Sequence, residues 1–134
     1  MSKSAAERLV EAGIRPSAQR VAVAEFVLET GDHPAADEVF AQVRERFPMI
    51  SRATVYNTLR AFVERGLLRS YELGGGRVVF DSNVEDHHHF IDEGSGRIYD
   101  VAWEKLRVLD VDRLNDFEVS DYQVVMRGKR RRKG

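Results

Sequence analysis

The spacing of apolar residues changes near residue 67 of this chain. Before that point, apolar residues recur every three or four positions in four segments, as expected for helices that each bury one face. After it, the β-prone runs LLRSYEL and RVVFD are joined by three consecutive glycines, which indicates a hairpin with a glycine turn. Helices followed by such a hairpin predict a winged helix-turn-helix, within a chain of the α+β class.

Capping residues predict where the helices begin and end. A serine stands before three of the four segments, and a glycine follows three of them. These residues are Ser4, Ser17 and Ser51 at the starts, and Gly13, Gly31 and Gly66 at the ends. His33-Pro34 opens the third helix, and the first helix is expected over residues 5–12. The fourth helix is expected to bury Val55, Leu59, Phe62 and Val63.

Past residue 82 the pattern predicts a smaller α/β unit. HHHFID and GRIYDV flank EGSG, which indicates a second hairpin. A helix is expected from Trp103 to about Leu114, and FEVSDYQVVMRG is expected to form a final strand. The predicted organisation is therefore a helical and hairpin domain over 1–82, an α/β domain over 83–127 and a basic flexible tail over 128–134.

Composition narrows the possible classes of protein. The chain has no cysteine, which excludes disulfides and thiolate metal sites. No apolar run approaches the roughly 18 residues of a membrane span, so we expect no membrane association and a cytoplasmic location. Residues 81–126 carry 12 acidic and 4 basic side chains, whereas residues 127–134 carry 6 basic and none acidic. The tail RGKRRRKG could therefore touch phosphates or could act only as a solubilising arm.

The fourth helix presents a polar face opposite its apolar one. Arginine can pair with guanine edges or phosphates, asparagine can read adenine, and tyrosine can contact a thymine methyl or a phosphate. The side chains on this face are Arg52, Tyr56, Asn57 and Arg60, and the following hairpin could add Arg69 or Arg77 as a contact to the DNA backbone. An ordinary solvated helix face is the alternative, and the hairpin that follows favours DNA binding.

The stretch DSNVEDHHHF suggests a metal site. Alternation along a strand places His87 and His89 on one face and His88 on the other. Asp81 precedes this run, and the second hairpin could bring Asp100 beside it. Imidazole and carboxylate ligands together suit Fe(II), Mn(II) or Zn(II). The alternatives are an exposed polar edge strand and, more remotely, a small metallohydrolase, although no substrate group or nucleophile is suggested.

Five segments together resemble the ferric uptake regulator (Fur) family of bacterial repressors. They are GIRPSAQR, GDHPAADEVF, SRATVYNTLRAFVERGLL, RVVFDSNVEDHHHF and GRIYDV, and the resemblance runs from about Leu9 to Arg127. It implies a homodimer with a winged-helix DNA-binding domain, an α/β dimerisation domain and a regulatory metal between them. It also implies a metal-dependent repressor that binds double-stranded DNA at a palindromic operator.

The same resemblance assigns individual residues. The metal ligands it implies are His33, Asp81, His87, His89 and Asp100, with Fe(2+) or Mn(2+) as the regulatory ion and Zn(2+) possible in vitro. Aspartate at the last position matches the peroxide-sensing branch (PerR), whereas iron sensors often have glutamate there. Arg20 matches a residue near the DNA backbone, and Tyr56 matches one that contacts bases. The expected signal is therefore peroxide or iron.

The chain departs from the family pattern in two ways. The structural zinc held by four cysteines is absent, so dimerisation is expected to depend on apolar packing. The candidates for that packing are Ile91, Ile98, Tyr99, Val101, Val124 and Val125. Second, the uninterrupted run His87, His88 and His89 also resembles the iron-response-regulator branch (Irr), which responds to haem, although the Cys-Pro haem motif of that branch is missing. A haem-responsive regulator is therefore the alternative.

Overall fold

The computed structural model describes residues 3–132, which form two compact units, one ending at Val84 and the other beginning at Glu85. The first unit contains four helices and a two-stranded sheet: α1 (Ala5–Glu11), α2 (Ala18–Glu29), α3 (Ala36–Arg44), α4 (Arg52–Glu64), β1 (Arg69–Glu72) and β2 (Val78–Asp81). The second contains β3 (His87–Asp92), β4 (Ile98–Ala102) and β5 (Val125–Gly128) in one sheet. The predicted α+β class is confirmed.

The predicted serine caps all form. The hydroxyl oxygens of Ser4, Ser17 and Ser51 accept hydrogen bonds from the backbone N–H three residues further on, at 3.1, 3.2 and 3.0 Å. Gly13 and Gly66 follow α1 and α4 with φ of 78°, a left-handed conformation that glycine adopts without strain. Local chemistry is thus sufficient to begin three of the helices and to end two of them.

The core of the first unit lies beneath α4. Val55, Leu59 and Phe62 are at most 1% exposed, as predicted, and Val63 is half-buried. They pack in one cluster with apolar residues from the other helices, including Leu9, Val23, Val27, Val39 and Val43. Because one face of α4 is buried in this cluster, its opposite face is exposed to solvent.

The first hairpin forms as predicted. β1 and β2 pair antiparallel, from Arg69 opposite Asp81 to Glu72 opposite Val78. The backbone N–H of Phe80 in β2 also donates to the carbonyl oxygen of Pro34 at 2.9 Å, which ties the hairpin to the segment that enters α3. This bond brings His33, which precedes Pro34, close to Asp81, which follows Phe80.

The second unit is built around β3. β4 pairs antiparallel with β3 on one side, as the hairpin prediction requires, and β5 pairs parallel with β3 on the other. The final strand is shorter than predicted and spans Val125–Gly128.

The helix predicted from Trp103 to Leu114 is wrong. The chain there forms two 3-10 turns, Trp103–Lys105 and Val111–Arg113. Between them Asp110 has φ of 65°, which breaks any continuous helix. The leucines behind the prediction do not share a buried face, because Leu109 is 69% and Leu114 is 49% exposed.

The basic tail expected over 128–134 is described as far as Arg132. Its first residue belongs to β5, and the guanidinium of Arg130 lies 4.7 Å from the ring centre of Tyr99. Residues 1–2 and 133–134, where the predicted ranges begin and end, lie outside the described residues. Among the helices described, none has both the length and the apolar character needed to cross a membrane.

Candidate metal and nucleic-acid sites

Three predicted metal ligands converge in the second unit. His87 and His89 lie two residues apart in β3 and therefore on the same face, and Asp100 stands opposite His89 in β4. The two Nε2 atoms are 3.1 Å apart, and Asp100 Oδ1 lies 3.4 Å from that of His87 and 3.8 Å from that of His89. We refer to these three residues as the triad.

Hydrogen bonds on the far side of each ring determine which nitrogen carries the proton. His87 Nδ1 lies 2.6 Å from the carbonyl oxygen of Glu85, which only accepts, so Nδ1 donates. His89 Nδ1 lies 2.6 Å from Gln123 Oε1, and with the amide in this orientation Nδ1 donates here too. In its neutral form each ring would therefore direct an Nε2 lone pair into the triad, where a metal ion can accept it.

The spacing of the triad suits a divalent ion. With metal–ligand bonds of about 2.1 Å, neighbouring ligand atoms are about 3.0 Å apart in octahedral and about 3.4 Å apart in tetrahedral coordination. The separations within the triad, 3.1 to 3.8 Å, fall in or near this range. Two imidazole lone pairs and a carboxylate are also the mixed nitrogen and oxygen donors that Fe(II), Mn(II) and Zn(II) accept.

Gln123 was not identified from the sequence. It precedes β5 and reaches His89 only because β5 lies alongside β3, with His89 opposite Val125. Their separation of 34 residues leaves no local pattern that could have indicated the contact. The hydrogen bond determines the tautomer and the ring orientation of a predicted ligand, which is the usual task of a residue behind a metal-binding histidine.

The other two predicted ligands meet in the first unit. His33 precedes α3 and Asp81 ends β2, and His33 Nε2 lies 3.1 Å from Asp81 Oδ2. Both residues are buried, at 7% and 4% exposure. The hydrogen bond between Pro34 and Phe80 joins the two segments directly beside this pair. The five predicted ligands are therefore held as this pair in the first unit and as the triad in the second.

His88, which the alternative prediction included in a haem site, is packed within the second unit. Its ring is 1% exposed and stacks on Trp103 with centres 4.6 Å apart and planes 13° from parallel. Its Nδ1 accepts a hydrogen bond from the backbone N–H of Val124 at 2.9 Å. The run of three histidines therefore separates into His87 and His89 on one face of β3 and His88 packed on the other.

The side chains of α4 predicted to contact DNA are exposed, because they lie on the face opposite the one buried in the core. They are Arg52, Tyr56, Asn57 and Arg60. Arg20 and Asn57 also line one open groove of about 650 Å³, together with Arg15, Ser17, Gln19 and Thr54. The Nη1 atom of Arg20 donates to the carbonyl oxygen of Arg15 at 2.8 Å, which directs its guanidinium.

Two acids in the first turn of α3, which were not identified from the sequence, bind several of these side chains. The hydroxyl of Tyr56 donates to Asp37 Oδ1 at 2.6 Å, and Arg52 Nη1 donates to the same oxygen at 2.5 Å. Arg77 Nη2, in the hairpin, donates to Glu38 Oε1 at 2.8 Å. The bond from Tyr56, assisted by the charge of Arg52, lowers the pKa of Asp37, and the same bond raises the pKa of Tyr56.

Known proteins resemble the chain over most of its length. The model of the Ferric uptake regulator family matches residues 11–127. The peroxide-responsive repressor PerR of Staphylococcus aureus (strain Mu50) is 34% identical over 122 residues, which cover 90% of this chain and 82% of that protein. The protein of the same name from strain USA300 is 33% identical over the same extent.

Solved structures share the fold. A zinc-bound manganese uptake regulator superposes with a TM-score of 0.70 at 24% identity, covering 96% of this chain and 99% of that one. The Campylobacter jejuni peroxide stress regulator has a TM-score of 0.66 at 23% identity and covers 96% and 94% of the two chains. With a family model that spans residues 11–127 and relatives above 30% identity, this chain belongs to the ferric uptake regulator family.

Proposed function

We propose that this chain represses transcription as a homodimer on a palindromic operator, and that a metal ion bound by its own residues controls the affinity for DNA. Membership of the family makes it a metal-dependent transcriptional regulator and not an enzyme. The observation that carries the proposal is the triad, in which two histidine lone pairs and a carboxylate converge at the spacing of metal ligands.

The proposed ligands are the triad, His87, His89 and Asp100, and the buried pair, His33 and Asp81. The ion proposed is Fe(2+) or Mn(2+), with Zn(2+) as a substitute in vitro. When bound, iron supplies reactivity toward peroxide, and manganese supplies positive charge with little of that reactivity. The proposal includes neither a structural zinc held by four cysteines nor thiolate chemistry, because the chain has no cysteine.

We further propose that one ion takes ligands from both units at once. A shared ion would hold the winged-helix unit at one angle and, in a symmetric dimer, would set the spacing of the two α4 helices. Only one spacing matches two half-sites on the same side of the DNA. Metal affinity and DNA affinity would then be coupled reciprocally, by about 1–3 kcal/mol.

Six apolar side chains of the second unit support its proposed role in dimerisation. All six are half-buried within the described chain and so retain surface that a second copy can cover. They are Ile91, Ile98, Tyr99, Val101, Val124 and Val125. We accordingly propose a DNA-binding domain over 1–82, a dimerisation and metal-sensing domain over 83–127 and a basic tail over 128–134.

Peroxide is the signal that the relatives and the ligand set favour. The PerR proteins at 33% and 34% identity are peroxide-responsive repressors, and Asp100 is the carboxylate that matches that branch. Plain iron sensing is the second candidate, because the same donors bind iron whether or not peroxide follows. Since operator DNA is in the cytoplasm of a bacterium, we infer that the chain acts there.

The test of the shared ion is the substitution His33→Ala. We expect the variant to remain a folded dimer that binds Mn(II) through the triad, but whose DNA affinity no longer rises when Mn(II) is added. Asp32→Asn is the matched control, because it removes a carboxylate from the same loop and replaces neither His33 nor Asp81. Affinity for duplex DNA would be measured by fluorescence anisotropy with and without Mn(II). Stimulation that persists in His33→Ala would refute the shared ion.

A further inference from the structure

Two adjacent acids bind three of the side chains predicted to contact DNA. Asp37 Oδ1 accepts hydrogen bonds from Arg52 and Tyr56, both on α4, and Glu38 Oε1 accepts one from Arg77 on the hairpin. The acids occupy consecutive positions in the first turn of α3. We call them the acid pair. The acid pair therefore binds side chains of both elements proposed to contact DNA, α4 and the hairpin.

The contacts of the acid pair form in water. The side chains of Asp37 and Arg52 are 67% and 62% exposed, and those of Glu38 and Arg77 are 56% and 54% exposed. Ion pairs this exposed are weak and exchange readily, so they add little to the stability of the fold. Their partners therefore remain able to move to another anionic acceptor.

A DNA phosphate is such an acceptor. Its oxygens accept the same bonds from guanidinium and phenol groups that a carboxylate accepts, and its charge attracts the same arginines. The guanidinium of Arg52 also lies 4.7 Å from the ring centre of Phe40, which holds it beside Asp37. A phosphate that takes Arg52 or Arg77 must displace a carboxylate, and the carboxylate left behind repels the DNA backbone.

We propose that the acid pair, Asp37 and Glu38, is an intramolecular competitor for DNA phosphate that lowers the sequence-independent affinity of this regulator. The proposal rests on the proposed DNA-binding function and adds a role for residues that do not contact DNA. Its consequence is that phosphate contacts alone bind the protein weakly to arbitrary DNA, so that contacts to bases are needed to retain it.

The test compares two double variants that lose the same charge. Asp37→Asn/Glu38→Gln removes the acid pair and keeps an oxygen acceptor at each position. Glu11→Gln/Glu25→Gln is the control, because Glu11 pairs with Lys3 and Glu25 pairs with Arg46, and neither cation is among the proposed DNA contacts. Binding of the Mn(II)-loaded full chain to a mixed-sequence duplex of about 30 base pairs would be measured by anisotropy over a range of salt concentrations.

We expect the acid-pair variant to bind the mixed duplex more tightly than the control variant does. The expected gain is about two- to fivefold for each acid removed from a DNA-bound protomer, which is the contribution of an exposed ion pair. The slope of log K against log salt should steepen by about 0.9 for each additional phosphate that the protein neutralises. The single variants Asp37→Asn and Glu38→Gln should each show part of the effect. They provide the same comparison if circular dichroism shows that the double variant is misfolded.

Two results would overturn the competition. Equal tightening in the acid-pair and control variants would show a general effect of net charge. Unchanged or weaker binding in the acid-pair variant would show that the acids orient Arg52 and Tyr56 for DNA. If the unmodified protein binds neither mixed-sequence DNA nor operators selected in vitro, the proposed function itself fails, and this inference fails with it.

Discussion

Gln123 offers the sharpest test of the metal centre, because it acts on the site without being a proposed ligand. The structure places its Oε1 2.6 Å from Nδ1 of His89, a ring that is 0% exposed. Substitution with methionine keeps the length of the side chain and removes the acceptor. The Nδ1–H of this buried ring then loses its acceptor on Gln123, and the ring loses its fixed orientation.

Loss of such a partner typically costs about 10- to 100-fold in metal affinity, which corresponds to about 1.4–2.7 kcal/mol. We therefore expect Gln123→Met to weaken Mn(II) binding by that factor, measured by competition with a chelating dye and by isothermal titration calorimetry. Gln123→Glu is the control, because a carboxylate accepts the same hydrogen bond more strongly, and its affinity should equal or exceed that of the unmodified protein. The reasoning is wrong if Gln123→Met binds Mn(II) within about twofold of the unmodified protein.

Three further outcomes are expected. Tyr56→Ala should reduce discrimination between a selected operator and mixed-sequence DNA, whereas Arg20→Ala should weaken binding to both equally, since its proposed contact is phosphate. Anisotropy measured on the two duplexes would show the difference. Unchanged discrimination in Tyr56→Ala would refute the recognition role of α4. In the iron-loaded protein but not in the manganese-loaded one, mild peroxide should add one oxygen atom to His33 or His87 and release DNA. Peptide mass analysis and DNA-binding measurements on both samples would test this. Unmodified histidines with full DNA binding would favour iron sensing without peroxide. Phe62→Ala should lower the free energy of unfolding by about 3–5 kcal/mol in urea denaturation, because the ring is 0% exposed in the core; a loss below about 1 kcal/mol would contradict that packing.

Several features follow from the sequence because their causes lie within a few residues. Ser4, Ser17 and Ser51 cap helices through bonds that span three positions, and Gly66 ends α4 through its own backbone freedom. The alternation of a strand likewise places His87 and His89 side by side once β3 is recognised. Short-range geometry of this kind can be read from the order of residues alone.

The prediction between β4 and β5 failed because leucine spacing does not specify burial. Leu109 and Leu114 occur at intervals that a helix tolerates, yet both are exposed, and Asp110 adopts a left-handed conformation between them. Because these two leucines are exposed, they form no buried apolar face that would stabilise a continuous helix, and two 3-10 turns form instead.

The residues that only the tertiary structure identified act across long stretches of chain. Gln123 reaches His89 through the parallel pairing of β5 with β3, and Asp37 reaches Tyr56 through the packing of α3 on α4. His88, identical to its neighbours in chemistry, is separated from them in role because the other face of β3 is covered by Trp103. The metal-donor types and the helix caps could be read from the order of residues, since they depend on side-chain chemistry and local backbone geometry. Tertiary packing decided which side chain orients His89, which one binds Arg52 and Tyr56, and which one covers His88, because contacts between distant segments depend on how the elements pack.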